Sequence, residues 1–586
     1  MITPGIPPPL LISLPGGLYV SGVVTWAVRL VNTLAARGIQ TGLILHRSTP
    51  HHAPLSIPLH PGVRTFDLSH LPPLTECDGR LDDYIEAYFK VCTTVLPSLR
   101  VPPRSARGVS PELPHNCSPL PERGGVPRLI LSPNLHGDDY GIAAAVSQQV
   151  PIAIVGWCHL DSAYDRAVLA HYEPCISRFI TVSTATTTAL TDAIPYRAGD
   201  IARIPYGIPI ADTLPHRAPL IVRSRAPARS RAHPRSSAAR TPRLLYVGRI
   251  EEGIKRISTL IAISDTLLRR GVPHELTLIG DGPAARDIDQ AITTRPHITR
   301  LPPIGPHETA AHYAAADFFL LPSRAEGLSL AMLEAMGQGC IPIVTAVRSG
   351  PADAFDDGIS GLLVHDANDP TQLADHFADT ISHLLLRATP RTLPDMAAAA
   401  HAAARRFSID RHADLVSAAI AGLAAEPARP WPCTRPASFT LAGIVPPDGP
   451  ARLRAAIESL TGERLIIHGV GLHTRLLAPI LAEYAHRITA FTDDNPLTHG
   501  TTFMDKPVLA PPGPPDATAI IISSHIHQQD MLERASIFGD RRIIALYPRD
   551  RPPPRSAWEA RPQPKHAVPL PSDGTRSPTR RSARQE

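Results

Sequence analysis

Short apolar runs alternate with amphipathic helical patterns along most of the 586-residue chain. Up to about residue 208 the strand-like runs are PLLISL, QTGLILH, RLILSPN, IAIVGWCH, RFITVS and IARIPYG. The segment VVTWAVRLVNTLAARG has helical spacing and a glycine stop. Strands separated by helices predict a parallel sheet with helices on both faces. The pattern therefore predicts a first α/β domain over residues 1–214.

Two further alternating units follow. The runs RLLYVGR, ELTLIGDG, FFLLPS, IPIVTA and GLLVH predict a second α/β domain over residues 243–430, which ends in a helix near 409–425. The runs RLIIHG, RITAFTD, AIIISS and RIIALYP predict a smaller α/β module over 437–548. A proline-rich boundary precedes this module, so a chain cut after about residue 430 is expected to stay folded.

Proline is concentrated between these units. It accounts for 65 of the 586 residues, against a usual share of about 5%, and helix and strand interiors reject it. Residues 97–127 are predicted to be a surface insertion, 215–242 a basic Pro/Arg-rich linker, and 549–586 a disordered tail.

Composition excludes several classes of protein. A hydrophobic share of 43% and a charged share of 19% are ordinary for a folded chain. The net charge is +5, and much of the arginine falls in the linker and the tail, so no nucleic-acid partner is predicted. The seven cysteines are sparse and form no C-x-x-C pair, which favours reduced thiols in the cytoplasm.

The apolar segments argue against insertion into a membrane. The N-terminal run MITPGIPPPLLISLPGG lacks a basic start and is broken by proline, which is unlike a signal peptide. No run of 18 apolar residues exists, so no transmembrane helix is predicted. This leaves room only for a peripheral contact at the inner face of a membrane.

The segment DFFLLPSRAEGLSLAMLEAMGQGC, residues 317–340, carries the chemistry. A buried strand ends at its start, a loop follows, and Ser329 is a good N-cap for the next helix. Such a junction at the end of a parallel strand favours phosphate binding. Glu326 in the loop and Glu334 on the helix could face one crevice. By spacing alone, they could equally be one loop carboxylate and one solvated helix carboxylate.

Two cations follow an upstream strand of the same domain. Arg249 and Lys255 lie just after LLYVG. Placed in a crevice with a helix N-terminus, they could neutralise a diphosphate leaving group. The alternative is that they form ion pairs with Glu251 or Glu252.

These segments resemble a known family. The runs VGRIEEGIKRI, LIGDGP, AADFFLLPSRAEGLSLAMLEAMGQGCIPIV and DDGISGLLV are similar, in order and spacing, to the C-terminal half of the retaining glycosyltransferases of family 4. The N-terminal runs LPGGLYVSGVVTWAVRLVNTLAARG, GWCHLDSAYD and FITVSTATTTAL resemble that family more loosely. The resemblance implies the GT-B fold, in which two Rossmann-like domains face each other; the third module would be an addition.

The resemblance also implies a function. It would be a retaining, metal-independent glycosyltransferase that moves a sugar from a nucleotide-sugar donor to a glycan, lipid or small-molecule acceptor in polysaccharide or glycoconjugate biosynthesis. No cofactor is implied, because the nucleotide sugar is a substrate. Two alternatives remain: a non-catalytic GT-B subunit that senses nucleotides, and a bifunctional enzyme with a second nucleotide-dependent activity in 437–548.

Site residues carry over by position in the family pattern. Glu334 would bind the ribose and Glu326 the donor sugar. The implied catalytic residues are His159, Glu326, Arg249 and Lys255, and the implied donor-binding residues are Gly17, Gly22, Gly327, Leu328 and Glu334. The alternatives are a structural role for His159 and simple turns at Gly17 and Gly22.

The chain departs from the family pattern at two places in the second domain. Lys255 follows Arg249 by six residues, one more than is usual, and Arg256 stands where glycine is usual. The segment SGPAD puts Asp353 where the family has glutamate, which makes Asp353 a doubtful ligand.

The third module carries half of a dinucleotide-binding pattern. Gly469 and Gly471 follow a strand, and Asp493 and Asp494 end the next one, but Thr474 replaces the third glycine. Gly469, Gly471 and Asp494 are therefore a candidate ligand site, and the alternative is glycine used only for packing. No metal site is predicted, because the 27 histidines do not cluster with cysteines or carboxylates.

Overall fold

A computed structural model describes most of the folded part of the chain. The described residues are 8–47, 54–74, 81–95, 129–134, 136–215, 240–348, 350–389, 391–432, 448–471, 473–474, 477–494, 499–500, 502–524, 528–547 and 567–569. The predicted insertion at 97–127 and most of the predicted linker and tail lie outside them. Contacts divide the chain into residues 1–439 and a C-terminal unit, 440–586.

The first domain is a seven-stranded parallel sheet with the order β3-β2-β1-β4-β5-β6-β7. Its strands are β1 Leu10–Leu14, β2 Thr41–Leu45, β3 Val63–Asp67, β4 Leu129–Ser132, β5 Ile152–Cys158, β6 Ile176–Thr181 and β7 Ile201–Arg203. Its helices are α1 Gly22–Ala36, α2 Asp82–Val95, α3 Gly137–Ser147, α4 Ala163–His171 and α5 Thr184–Ala193.

The second domain is a six-stranded parallel sheet with the order β10-β9-β8-β11-β12-β13. Its strands are β8 Arg243–Val247, β9 Glu275–Ile279, β10 Ile298–Leu301, β11 Phe318–Leu321, β12 Ile341–Thr345 and β13 Leu362–Val364. Its helices are α6 Ile257–Arg269, α7 Ala285–Ile292, α8 Pro306–Ala315, α9 Leu330–Gly337, α10 Pro351–Ala354, α11 Pro370–Arg387, α12 Thr392–Ala404 and α13 Ile409–Ala421.

The C-terminal unit repeats this order in the sheet β16-β17-β15-β14-β18-β19-β20, in which only the β16–β17 pair is antiparallel. Its strands are β14 Leu465–His468, β15 Ile488–Thr492, β16 Thr502–Phe503, β17 Lys506–Leu509, β18 Ala519–Ile522, β19 Arg542–Ala545 and β20 Ala567–Pro569. Its helices are α14 Gly449–Ser459, α15 Ala478–Glu483 and α16 Gln528–Glu533.

Every apolar run predicted as a strand contains one in the structure, and the additional strands lie towards sheet edges. The sequence pattern misses β3, β10, β16 and β17, which are short or carry polar residues. Strand β20 pairs with β19, so these three residues differ from the disorder predicted for 549–586.

Helix α1 packs between the two halves of residues 1–439. Ser21 caps its first turn by accepting a hydrogen bond from the amide of Val24. Seven of its side chains are buried, including Trp26 and Leu30, in a hydrophobic core shared with the second domain. The shared core explains why few positions of this helix are free to be polar.

The chain returns to the first domain after crossing the second. The backbone of Ile208 exchanges hydrogen bonds with Phe407 and Ile409 at the start of α13. Beyond that helix, the side chain of Trp431 is buried and its amide donates to Ser147 Oγ at 2.9 Å. The packed part of this unit thus extends past residue 430, where the sequence pattern places its end.

Candidate functional site

The carboxyl ends of the two sheets meet at Gly327. A Cβ atom on Gly327 would lie 1.8 Å from the carbonyl oxygen of His159, which follows β5 in the first domain. Gly350, with φ of +86°, packs on the other side, since its Cβ would lie 2.9 Å from the Gly327 oxygen. Only glycine permits both approaches. The structure therefore brings together His159 and Gly327, which the sequence places in different domains.

Glu326 is a buried carboxylate with a cationic partner. Lys255 Nζ lies 2.7 Å from Glu326 Oε1. The Glu326 side chain is 8% exposed, so an ionised carboxylate here needs such a partner. Lys255 thus pairs with the predicted donor-sugar glutamate rather than with Glu251 or Glu252.

Arg249 forms the ion pair that the sequence analysis left open. Its Nε lies 3.3 Å from Glu251 Oε2, and the Arg249 side chain is 48% exposed. The Tyr246 hydroxyl donates to the Arg249 carbonyl at 2.7 Å and so fixes the backbone at the end of β8. The backbone of Arg249 is therefore fixed, while its guanidinium is accessible to solvent.

Glu334 joins the two domains. It lies on α9, whose first turn is capped by Ser329 Oγ accepting from the amide of Met332. Arg29 of α1 forms an ion pair with Glu334 Oε1, and the Tyr313 hydroxyl donates to Oε2 at 3.1 Å. Burial and the neighbouring Glu334 charge raise the pKa of Tyr313 well above its usual range. Both carboxylate oxygens thus have donors.

His159 is held as a neutral imidazole. Its Nδ1 lies 2.7 Å from the Tyr206 hydroxyl and its Nε2 lies 2.8 Å from Asn134 Oδ1. The ring stacks on Trp157 with an interplanar angle of 6°, and burial lowers the pKa of His159 to about 3. Its ring nitrogens are thus both engaged, while its backbone carbonyl lies at the domain junction.

Two of the remaining predicted donor-binding residues, Gly22 and Leu328, lie along the same junction. Gly22 begins α1, and a Cβ there would lie 3.9 Å from a methyl carbon of Leu330 in α9. Leu328 is buried beside Gly350. Gly17, with φ of +74°, closes a turn by donating its amide to the Leu14 carbonyl. The structure therefore places Gly17 in a turn directly after β1.

The two departures from the family pattern have structural partners. Arg256 has φ of +51°, in the left-handed region, which glycine adopts without the steric strain that a Cβ atom causes. Its guanidinium donates to Asp366 at 2.7 Å. Asp353 accepts hydrogen bonds from both the amide and the hydroxyl of Thr184 in the first domain. Arg256 therefore bonds within the second domain, whereas Asp353 links the second domain to the first.

In the C-terminal unit, the candidate residues lie at the carboxyl edge of the sheet. Gly469 has φ of +95°, and a Cβ on it would lie 2.9 Å from Met531 of α16. Asp494 forms an ion pair with Arg534 at 2.8 Å. Gly471 has open space around its Cβ position. The structure thus gives Gly469 a packing contact and Asp494 a cationic partner.

Four side chains at the site escape the sequence analysis: Arg29, Tyr313, Asn134 and Tyr206. Each acts by touching a predicted residue that is distant in the chain. A signal existed only for Arg29, an arginine inside the apolar helical run WAVRLV.

The described parts of the chain contain neither a cluster of metal-ligating side chains nor a membrane-spanning helix. Among those residues, no three or more His, Cys, Asp or Glu side chains are grouped so that they could hold a metal ion. None of the helices described combines the length and apolar character needed to cross a bilayer.

Comparison with known proteins bears on the second domain first. A family model described as glycosyl transferases group 1 matches residues 241–383. A D-inositol 3-phosphate glycosyltransferase from Saccharomonospora viridis is 33% identical over 183 residues, which are 29% of this chain and 40% of the relative. A sulfoquinovosyl transferase from Arabidopsis thaliana is 33% identical over 126 residues, 21% of this chain and 23% of that relative. The chain thus spans well under half of these curated relatives.

Comparison of structures covers both domains. Sucrose-phosphate synthase from Thermosynechococcus elongatus superposes with a TM-score of 0.51 at 20% identity, over 70% of this chain and 98% of that one. This likeness concerns the fold alone, and it confirms the GT-B fold that the sequence predicted. The chain therefore has the GT-B fold, and its second domain matches the model of the glycosyl transferases group 1 family over residues 241–383.

Proposed function

We propose that this protein is a retaining glycosyltransferase that moves a sugar from a nucleotide-sugar donor to a glycan, lipid or small-molecule acceptor in polysaccharide or glycoconjugate biosynthesis. The observation that carries the proposal is the junction at Gly327, where the Glu326 loop of the group 1 domain rests on the His159 carbonyl of the other domain. A donor bound there would have protein groups from both domains around it. The two curated relatives described above are named as sugar transferases.

The charged groups at this junction suit departure of a diphosphate. As the bond from the sugar to the diphosphate breaks, negative charge grows on the leaving oxygen and the sugar gains oxocarbenium character. Lys255, Arg249 and the N-terminus of α9 would stabilise the growing negative charge. Because Arg249 is half exposed and held by Glu251 through one nitrogen, it could turn to the diphosphate with little loss of packing.

Binding of the nucleotide would change the partners of Glu334. In the structure this carboxylate accepts from Tyr313 and pairs with Arg29. Ribose hydroxyls would compete for the same oxygens, and Arg29 would remain beside the carboxylate as its cationic partner during the exchange. Ribose recognition would then be linked to the contact between α1 and α9.

The leaving group defines the first test. Arg249→Ala should lower kcat by about 10²–10³-fold, the usual cost of removing a donor that acts on developing charge. Turnover is measured with a panel of nucleotide sugars as donor hydrolysis. Arg243→Ala is the matched control, because Arg243 lies at the other end of β8, is 46% exposed and pairs with Glu275 at 3.2 Å. Equal kcat in the two folded variants would contradict the role of Arg249.

Metal independence is tested separately. Turnover should survive treatment with EDTA, because side-chain cations and a helix N-terminus do the work of an ion in this proposal. Turnover is measured before and after treatment, and again after Mg²⁺ is added back. A complete loss that Mg²⁺ restores would contradict the proposed mechanism.

A further inference from the structure

A series of buried polar side chains, linked by hydrogen bonds, lies along the carboxyl edge of the first sheet. Its members come from β1, the loop after β2, α2, the loop after β4, α3, and the segments after β5 and β7. They are Ser13, His46, Tyr88, Asn134, Asp139, His159 and Tyr206, and all are buried. Only His159 has a place in the proposed function, so the other members need an explanation.

Asp139 lies at the centre of this series of side chains. The Tyr88 hydroxyl donates to Asp139 Oδ1 at 2.5 Å, and the amide of Asn134 donates to Oδ2 at 2.8 Å. In turn, Tyr88 is bonded to Ser13 and to His46, each at 2.7 Å. Within the described residues, Asp139 forms no ion pair with lysine or arginine. Its two oxygens therefore hold a helix and a loop together through hydrogen bonds alone.

Asn134 connects this carboxylate to His159. Its Oδ1 can only accept, so His159 Nε2 carries the proton of that 2.8 Å contact and Nδ1 accepts from the Tyr206 hydroxyl. The side-chain nitrogen of Asn134 is buried without a hydrogen-bond partner in the described residues. Asp139 thus fixes Asn134 through the backbone amide of Asn134. The side chain of Asn134 contacts the His159 ring through Oδ1 alone.

We propose that Asp139 is a positioning residue for the transfer proposed above, on which this inference rests: its carboxylate fixes Asn134, and Asn134 fixes the ring of His159. The His159 carbonyl supports Gly327, and Gly327 follows Glu326 in the chain. Asp139 would thus act on the reaction through two intermediate residues without touching the donor.

The charge state of Asp139 gives the proposal a pH dependence. The titratable groups around it are Tyr88 on α2, His46 after β2, Asp138 and Tyr140 on α3, and His136 before α3. Burial raises the pKa of Asp139 to about 6 and, with His136, lowers the pKa of His46 to about 4. Near pH 7 the carboxylate accepts both hydrogen bonds. Below pH 6 protonation turns one oxygen into a donor, which reverses or weakens the hydrogen bond at that oxygen.

Because Asp139 is buried, its effect on stability and its effect on turnover can be measured separately. A carboxyl whose pKa is raised on folding costs stability once the pH exceeds the unfolded value, and the cost is complete above the folded value. Asp139→Asn removes that cost, but it leaves one acceptor oxygen where the carboxylate offers two to the Tyr88 hydroxyl and the Asn134 backbone amide. We therefore expect this variant to melt at or above the wild-type temperature near pH 7, yet to lose about 10–100-fold in kcat.

The experiment compares donor turnover of the full-length wild type and variants from pH 5 to 8. The wild type should show a fall in turnover centred near pH 6, which Asp139→Asn abolishes. Tyr88→Phe should move that fall to higher pH, because the Tyr88 hydrogen bond lowers the pKa of Asp139. Asp317→Asn, at the amino end of β11, should leave turnover unchanged.

A second carboxyl could mimic the titration. Burial also raises the pKa of Asp165 to about 6, and Asp165 accepts from the amide of Leu160 at 3.2 Å. The fall near pH 6 should therefore persist in Asp165→Asn. If it persists in Asp139→Asn and vanishes in Asp165→Asn, the positioning role of Asp139 is wrong.

The path through His159 is tested by a double-mutant cycle. In a His159→Ala background, Asp139→Asn should cause no further loss of kcat. Additive losses, or a lower melting temperature in Asp139→Asn alone, would mean that Asp139 serves only structure. If the wild type turns over no donor, the proposed function fails; histidine-selective ¹⁵N spectra then still decide whether Asp139→Asn changes the His159 tautomer, and an unchanged tautomer overturns the positioning.

Discussion

The second domain and the C-terminal unit share one order for their parallel strands, but the groups at the carboxyl edges of the two sheets have different partners. In the second domain, the carboxyl ends of β8 and β11 lead to Lys255 and Glu326 and to a glycine that fits against another domain. In the C-terminal unit, buried side chains at that edge bond to one another. Examples are His468 with Thr492 at 3.1 Å and His473 with Ser523 at 3.1 Å and with Tyr547 at 2.7 Å.

The difference shows what strand order does and does not decide. Strand order creates a crevice at the switch point of a parallel sheet, and both sheets have one. A ligand also needs groups whose partners can be exchanged. Arg249 is half exposed and loosely paired, whereas His468 is 2% exposed and Asp494 is neutralised by Arg534. The order of strands alone therefore does not make the C-terminal unit a nucleotide site.

The largest expected effect tests whether the two units are separable. A chain ending at residue 439 should keep donor turnover, because every residue of the proposed site precedes that point. A chain ending at 430 lacks Trp431, whose burial among Tyr172 and His171 should be worth about 3–5 kcal/mol. Thermal unfolding and turnover are measured for both chains. A folded 1–439 chain without turnover would show that the C-terminal unit contributes to the reaction.

Glycine substitutions compare the two edges directly. Gly327→Ala should destabilise the protein by about 1–3 kcal/mol and lower turnover by about 10²-fold, because the new methyl group collides with the His159 carbonyl. Gly471→Ala should change stability by less than about 0.5 kcal/mol and leave turnover intact, because nothing lies within 4 Å of its Cβ position. Similar effects at both positions would remove the contrast between the edges.

The smallest expected effect concerns the ion pair of the C-terminal unit. Asp494→Asn should cost about 0.2–1 kcal/mol, because its pair with Arg534 is about one-third exposed. Donor turnover should not change. Asp516→Asn is the control, since it breaks another pair of this unit, with Arg464 at 2.8 Å. A loss of turnover in Asp494→Asn alone would give this acid a part in the reaction.

The sequence predicted what local pattern controls. Apolar runs located the central strands such as β11 and β14, and the Ser329 cap located the start of α9. Edge strands such as β3 escaped, because its side chains are half-buried or exposed and leave a weak apolar signal. Propensity and pattern therefore predicted the sheets more completely at their centres than at their edges.

The partners of the site residues could not be predicted in the same way. The pairing of Arg29 with Glu334 joins residues 305 positions apart, and the contact of Gly327 with His159 crosses between domains. Such contacts depend on how two sheets face each other, which no local spacing contains. The resemblance to a family named the residues of the site, while the tertiary structure supplied what holds them.

The bond between Asp353 and Thr184 has a consequence for motion. The Thr184 amide, in the first turn of α5, donates to a carboxylate that belongs to the other domain. If the first and second domains move apart, that proton becomes available to solvent, while amides deeper in α5 stay bonded within the helix. The rate of hydrogen–deuterium exchange at the Thr184 amide therefore depends on how often the two domains separate. Slower exchange of the Thr184 amide after a nucleotide sugar is added would show that the sugar holds the two domains together.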